Sequence, residues 1–248
     1  MNILGIIPAR YDSTRFPGKP LVEIKGKSMI RRVYEQSTKA FKTVYVATDD
    51  DRIFKHVKSF GGNVIMTSRD HRSGTDRCAE AVLRISEEVK TSFDIIVNIQ
   101  GDEPFIQPSQ LELLVSCFND SETDIATLVK PIELEEDIWN PNKPKVVLNN
   151  KEQAIYFSRS AIPYLKNVPK GDWLRSGKFY KHIGLYAYRS KTLQDITKLP
   201  LSELEISESL EQLRWIENNY RIGVKISNIE TISIDIPEDL KKVNHLLE

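Results

Sequence analysis

Cysteine is almost missing from these 248 residues: Cys78 and Cys117 are the only two, in separate stretches of helical pattern and without metal-ligand spacing. That excludes a disulfide framework and a thiolate metal centre, and both read as small core residues of a reducing compartment. Net charge is missing as well. The 35 Lys and Arg against 35 Asp and Glu leave +0, so no global field draws the chain to nucleic acid or to an anionic membrane, and neither partner is expected. No apolar run approaches the length of a membrane span. Met1 leads into a strand within two residues, without a basic leader or a cleavage site, so a cytoplasmic location is expected. There is no internal repeat and no low-complexity tract. A Walker A loop is excluded too, because the Gly18-Lys19 pair would need Gly at position 13 and Ser or Thr at position 20, where the chain has Ser13 and Pro20.

What is present is a globular composition, 40% hydrophobic, enough for one large core or a core with a small lobe attached. The first half alternates short apolar strands with amphipathic helices. Strands are expected at Ile3 to Pro8, Thr43 to Thr48, Asn63 to Met66 and Asp94 to Asn98, and helices at Ser28 to Ala40, Asp51 to Phe60 and Thr75 to Lys90, with Ser73 or Thr75 as N-cap of the last. Pro108 opens a further helix. This rhythm predicts an α/β fold, a Rossmann-like, mainly parallel sheet flanked by helices.

After about residue 130 the pattern changes. Lys145 to Leu148 and Gln153 to Ser158 flank Asn149-Asn150-Lys151-Glu152 as an antiparallel hairpin, and a strand follows at Lys181 to Tyr188. One long helix containing Ile206, Leu210, Leu213 and Ile216, a strand from Ile222 to Ile226 and a helix started by Pro237 close the chain. A single domain over 1–248 is expected, with an α/β core at 1–130, a smaller antiparallel lobe at 131–190 and a return to the core at 191–248.

Three segments and one further strand-end carboxylate carry chemistry. The first strand runs into Pro8-Ala9-Arg10-Tyr11-Asp12-Ser13-Thr14-Arg15-Phe16-Pro17-Gly18-Lys19-Pro20, a cationic loop at a strand end. Arginine grips phosphate oxygens bidentately, lysine adds a point charge, and hydroxyls and free N–H groups serve the remaining oxygens, so this combination suits a polyphosphate. The second segment, Gln100-Gly101-Asp102-Glu103-Pro104, puts Asp102 just past the apolar run Ile95 to Ile99, where a strand-end carboxylate facing a cationic loop suits Mg²⁺; Glu103 reads as solvated. A second such carboxylate, Asp235, follows an expected alternating apolar strand at Ile232-Ser233-Ile234 and precedes Pro237; helix capping and metal binding are both open to it. The third segment, His71-Arg72-Ser73-Gly74-Thr75-Asp76-Arg77, enters a helix, whose free N–H groups suit a base edge or an anion, or merely a cap.

Arg10 to Arg15 resembles the nucleotide-binding signature of the sugar-activating cytidylyltransferases, on the branch acting on 3-deoxy-manno-octulosonate (Kdo); the sialic-acid branch usually carries an Arg-Gly-Gly-Ser-Lys loop instead. The resemblance runs from Ile6 to Leu240 and includes Tyr156-Phe157-Ser158-Arg159, His182-x-Gly184-x-Tyr186 and Leu210-Glu211-Gln212-Leu213; Tyr164 to Tyr180 carries no recognised pattern. It implies transfer of CMP from CTP to Kdo, releasing pyrophosphate, as a step of lipopolysaccharide biosynthesis. Pro8, Ala9, Arg10, Ser13, Thr14, Arg15 and Lys19 would bind the triphosphate side of the nucleotide, and Ser73, Gly74 and Arg77 the cytosine. Asp102 and Asp235 would hold Mg²⁺ and, with Lys19, form the catalytic set. Gln100, Arg159, His182, Tyr186, Glu211 and Gln212 would hold the sugar, with Arg159 on its carboxylate, and the lobe at 131–190 would bind sugar and form a homodimer. A cytidylyltransferase for another acid sugar (8-amino-Kdo or sialic acid) and a non-catalytic nucleotide-binding regulatory module are the alternatives; the second would be free to lose the carboxylate pair that this chain keeps.

Overall fold

A computed structural model of the chain describes residues 1–12, 16–230 and 232–243. Ser13, Thr14 and Arg15, three of the residues expected at the triphosphate, lie outside the described residues. The chain divides into two compact units, one drawn from Met1–Glu112, Ala187–Thr197 and Thr231–Glu248, the other from Leu113–Tyr186 and Lys198–Glu230.

The first unit is built on parallel strands. Ile3–Ala9 pairs with Val44–Thr48 on one side and Ile95–Asn98 on the other, and Val44–Thr48 pairs onward with Val64–Met66. Strands buried on both faces read as unbroken apolar runs, as Leu4, Ile6, Ile7, Val44, Val46, Ile95, Ile96 and Val97 show. The helices start where side chains can cap them. Ser28 accepts from Arg31 N ahead of Met29–Ala40, Asp50 from Arg52 N and Ile53 N ahead of Asp51–Ser59, and Ser73 forms a reciprocal capping box with Asp76 at the start of Gly74–Val89. A two-residue turn at Lys25 and Gly26, both with positive φ, closes the small hairpin of Glu23–Ile24 and Lys27–Ser28.

Chain order matters more than strand count. The chain leaves Ile3–Ala9 toward one edge through Val44–Thr48 and Val64–Met66, then returns to the first strand's other side as Ile95–Asn98. Open parallel sheets bind ligands at this reversal, beyond the carboxyl ends of the strands. Those ends are Pro8–Arg10 and Gln100–Asp102.

In the second unit Ile222–Ile226 runs parallel to Ile125–Pro131, and the expected hairpin is present as Lys145–Leu148 against Ala154–Ser158. Tyr180 and Lys181, the first residues of the strand Tyr180–Arg189, pair antiparallel with Val146 and Lys145. The unpatterned stretch from Tyr164 to Tyr180 has a core of its own, in which Trp173 packs with Ile132, Ile138 and Phe179 and donates through Nε1 to Val168 O.

Three expectations about elements change. The long helix is two short ones, Glu203–Glu208 and Glu211–Glu217, broken at Ser209 in the left-handed region (φ 50°). Ser209 O accepts from Arg159 Nη2, a tertiary bond that no helical periodicity announces. The residues before Asp235 form no strand; Ile234 instead donates its N–H to Asp102 O at 2.9 Å, and its side chain is buried with Ile24 and Met29. The parallel strand Ile125–Pro131 has no counterpart in the expected elements. Among the described residues, no helix is long and apolar enough to cross a membrane.

Candidate functional site

The cationic loop is shaped by its turns. Gly18 takes φ 73°, closing a turn in which its N–H donates to Tyr11 O, and a Cβ there would meet the Tyr11 ring at 3.1 Å. Lys19–Leu21 then forms a single turn with Pro20 buried. Glycine is also required at position 101, where a Cβ would stand 3.1 Å from Pro8 O, so the loop after Ile95–Asn98 packs directly against the end of the first strand.

These constraints place three charged groups together. Lys19 Nζ lies 2.7 Å from Asp102 Oδ2 and 3.4 Å from Asp235 Oδ1. The partners are 83 and 216 residues from the lysine in sequence. Asp239 Oδ2 accepts from the N–H groups of Asp235 and Ile236, so a neighbour closes that turn while the Asp235 carboxylate faces Lys19. Two carboxylates converging on one cation, with hard oxygen donors and, among the described residues, no cluster of three or more His, Cys, Asp or Glu side chains able to hold a metal, suit Mg²⁺, which takes one or two carboxylates and completes its shell with waters and substrate phosphates.

Glu103 corrects the expectation of a solvated side chain. It is buried, its Oε2 has no hydrogen-bond partner among the described residues, and burial, followed by the charge of Asp102, pushes its carboxyl up to about 8.

A cavity of about 250 Å³ opens at this point, lined by Pro8, Ala9, Arg10, Lys19, Ser73, Gly74, Arg77, Gln100, Asp102 and Asp235 among others. Every expected nucleotide and metal residue that is described borders it. So does Gln100, expected at the sugar. Arg77 reaches the wall with its guanidinium engaged: Nη1 donates to Thr67 Oγ1 at 2.6 Å and Nη2 to Asp49 Oδ2 at 2.8 Å. His71 and Arg72, which open the third segment but were assigned no role, also line the cavity. His71 Nε2 contacts Glu80 Oε2, and Glu80 also accepts from Ser68 N; the signal in the sequence was a His-Arg pair immediately before a helix cap.

The remaining expected residues lie in the second unit. Arg159 is held from all sides. Lys145, fully buried, donates to Arg159 O at 2.7 Å, Glu208 accepts from Arg159 N and Ser158 Oγ, and the guanidinium donates to Glu208 O, Pro141 O and Ser209 O. A guanidinium has five N–H donors, so N–H groups at Nη1 and Nη2 remain for an anion. Gln212 is buried with Nε2 unpartnered among the described residues, and Glu211 Oε1 accepts from Arg214.

His182 and Tyr186 pack in the same unit with their rings tilted by 47°, centroids 5.3 Å apart, and Phe157 lies edge-on to the imidazole. Thr127 Oγ1 lies 3.0 Å from His182 Nε2 and within reach of Leu185 O at 2.9 Å. With the threonine proton on a carbonyl, Nε2–H is the donor. Burial pushes the ring's pKa down to about 3. The unfolded chain then binds the proton first as pH falls, so this group's stabilisation is complete above about pH 6.5 and is lost progressively toward pH 3. Urea unfolding at pH 7 and pH 5 should show wild type losing about 1–2 kcal/mol more than His182→Gln over that interval. Equal losses would mean that the imidazole is not buried neutral.

The description of the family model that matches residues 4–226 is cytidylyltransferase. A 3-deoxy-manno-octulosonate cytidylyltransferase from Bacteroides thetaiotaomicron is 58% identical over 251 residues, covering 100% of this chain and 99% of that protein. The protein of the same name from Parabacteroides distasonis is 58% identical, covering 98% and 96%. Among solved structures, a CMP:2-keto-3-deoxy-manno-octonic acid synthetase complexed with CTP superposes with a TM-score of 0.89 at 41% identity, covering 100% of this chain and 98% of that one.

Proposed function

Because the chain belongs to the cytidylyltransferase family, we propose that it transfers CMP from CTP to Kdo, giving CMP-Kdo and pyrophosphate. The observation that carries this reading is the convergence of Lys19, Asp102 and Asp235 on one cavity at the sheet's reversal, together with Arg10, Ser73 and Gly74.

The anomeric hydroxyl of Kdo attacks the α-phosphorus of CTP. An O–P bond forms there, the bond to the β-phosphate oxygen breaks, pyrophosphate leaves and the hydroxyl proton passes to solvent. Lys19 and Arg10, with Arg15, hold the β- and γ-phosphates and offset the charge that develops on them. Ser73 and Gly74 sit at the start of Gly74–Val89, where backbone N–H groups face the base. Asp102 and Asp235 would hold Mg²⁺, which when bound neutralises phosphate charge and polarises the attacking oxygen. In the second unit the N–H groups left at Arg159 suit the sugar carboxylate, and the buried Gln212 amide, Glu211 and Tyr186 suit its hydroxyls.

Pyrophosphate release with CTP and a panel of Kdo, 8-amino-Kdo, sialic acid and a neutral hexose tests the reading. Turnover highest with Kdo supports it; a preference for another acid sugar reassigns the substrate, and no turnover with any of them sinks it. Arg159→Ala should raise KM for Kdo about 10–100-fold, the loss of a charge-assisted pair, while CTP affinity by calorimetry stays within a few-fold. Loss of CTP binding with sugar affinity kept would move Arg159 to the nucleotide. A homodimer belongs to the same proposal. The mass in solution checks it.

A further inference from the structure

The ammonium of Lys19 sits between the two carboxylates, 2.7 Å from one and 3.4 Å from the other. Its side chain is 15% exposed, against 26% and 40% for Asp102 and Asp235, so it is the most enclosed member of the trio. A second full cation placed against the same oxygens would face the ammonium at a few ångströms, where like charges repel strongly outside bulk water. The lysine therefore matches the charge of the carboxylates and also stands in the way of a divalent ion. The cavity that the trio borders carries Arg10 as well, so an anion drawn into it meets positive charge on two sides. A triphosphate is such an anion, and a lysine is a point charge on a flexible stem that can turn from carboxylate to phosphate while Pro20 and Gly18 keep its backbone fixed.

We infer that Lys19 and the divalent metal are alternative partners of the Asp102–Asp235 pair, so that metal enters only with the triphosphate that draws the ammonium away. This rests on the metal reading above. Its consequence is an order of binding: Mg²⁺ free of nucleotide is excluded, and the two carboxylates are kept paired and hydrogen-bonded until CTP arrives.

Mn²⁺ is the probe, followed through the electron paramagnetic resonance of the free ion in the absence of nucleotide. Wild type should bind it at least about tenfold more weakly than Lys19→Met, because the variant removes the competing charge and leaves the carboxylates in place. Lys19→Gln keeps a donor for Asp102 and removes only the charge; it should behave like Lys19→Met and serves if that variant does not fold. Adding Asp102→Asn to either variant should abolish the gain, which locates it at the pair. Equal affinity in wild type and the Lys19 variants overturns the inference, as does a failure of the folded variants to take up Mn²⁺. The metal reading is judged apart, by Mn²⁺ uptake of wild type with a non-hydrolysable CTP analogue. Uptake there that is unchanged in Asp102→Asn and Asp235→Asn removes the metal from the carboxylates, whatever the nucleotide-free titration shows.

Discussion

Asp102→Ala and Asp235→Ala should each lower kcat by on the order of 10³-fold or more in protein that remains folded. Stabilising charge at a transferring phosphoryl group contributes several kcal/mol, and each factor of ten in rate is about 1.4 kcal/mol. The Asp102 substitution should cost more, since its oxygen lies closer to Lys19, 2.7 Å against 3.4 Å, and is the less exposed of the two. Unfolding temperature should hardly move, because partly exposed ion pairs contribute at most about 1 kcal/mol to stability. Pyrophosphate release and thermal unfolding measured on the same preparations separate chemistry from folding. Full activity in either folded variant would sink the assignment of both carboxylates.

Lys19→Met should lower kcat/KM for CTP by about 10²–10³, the usual effect of removing one preorganised donor from a centre where charge develops. Methionine keeps the stem and loses the charge, so the cavity wall is preserved while the phosphate oxygens lose their partner. KM for Kdo should change little, because the residues assigned to the sugar carboxylate and hydroxyls lie in the other compact unit. Steady-state kinetics with each substrate varied in turn checks this. Weakened Kdo saturation with unaltered CTP kinetics would place the nucleotide in the wrong unit.

How much of this was legible differs from residue to residue. The strands around Ile6, Val46 and Val97 and the helix starts at Ser28 and Ser73 could be read because periodicity, β-branched runs and capping residues act over a few positions. The broken helix could not, since Ser209 holds its left-handed turn beside Arg159, 50 residues away. Asp235 was recognisable as a carboxylate of interest, but that it faces Lys19 depended on a partner 216 residues away. Glu103 is the plainest departure, read as solvated and found buried, and Lys145 at the start of the hairpin is buried as well. Lys145 reaches two backbone carbonyls and Glu103 has one orphaned oxygen.

The chain's own order of residues determined the α/β class, the position of the phosphate-suited loop at a strand end and the identity of the acidic and cationic groups available. Only the tertiary structure decided which of them meet. Local patterning records which face of an element avoids water, a property of neighbours a few residues apart, whereas an ion pair is decided by distance in space, and Lys19 finds Asp102 and Asp235 from 83 and 216 residues away. Parallel strands make the first meeting possible by returning Asp102 beside the end of the first strand, where the reversal of strand order leaves a crevice, and the bond from Ile234 N–H to Asp102 O brings Asp235 to the same place without a strand.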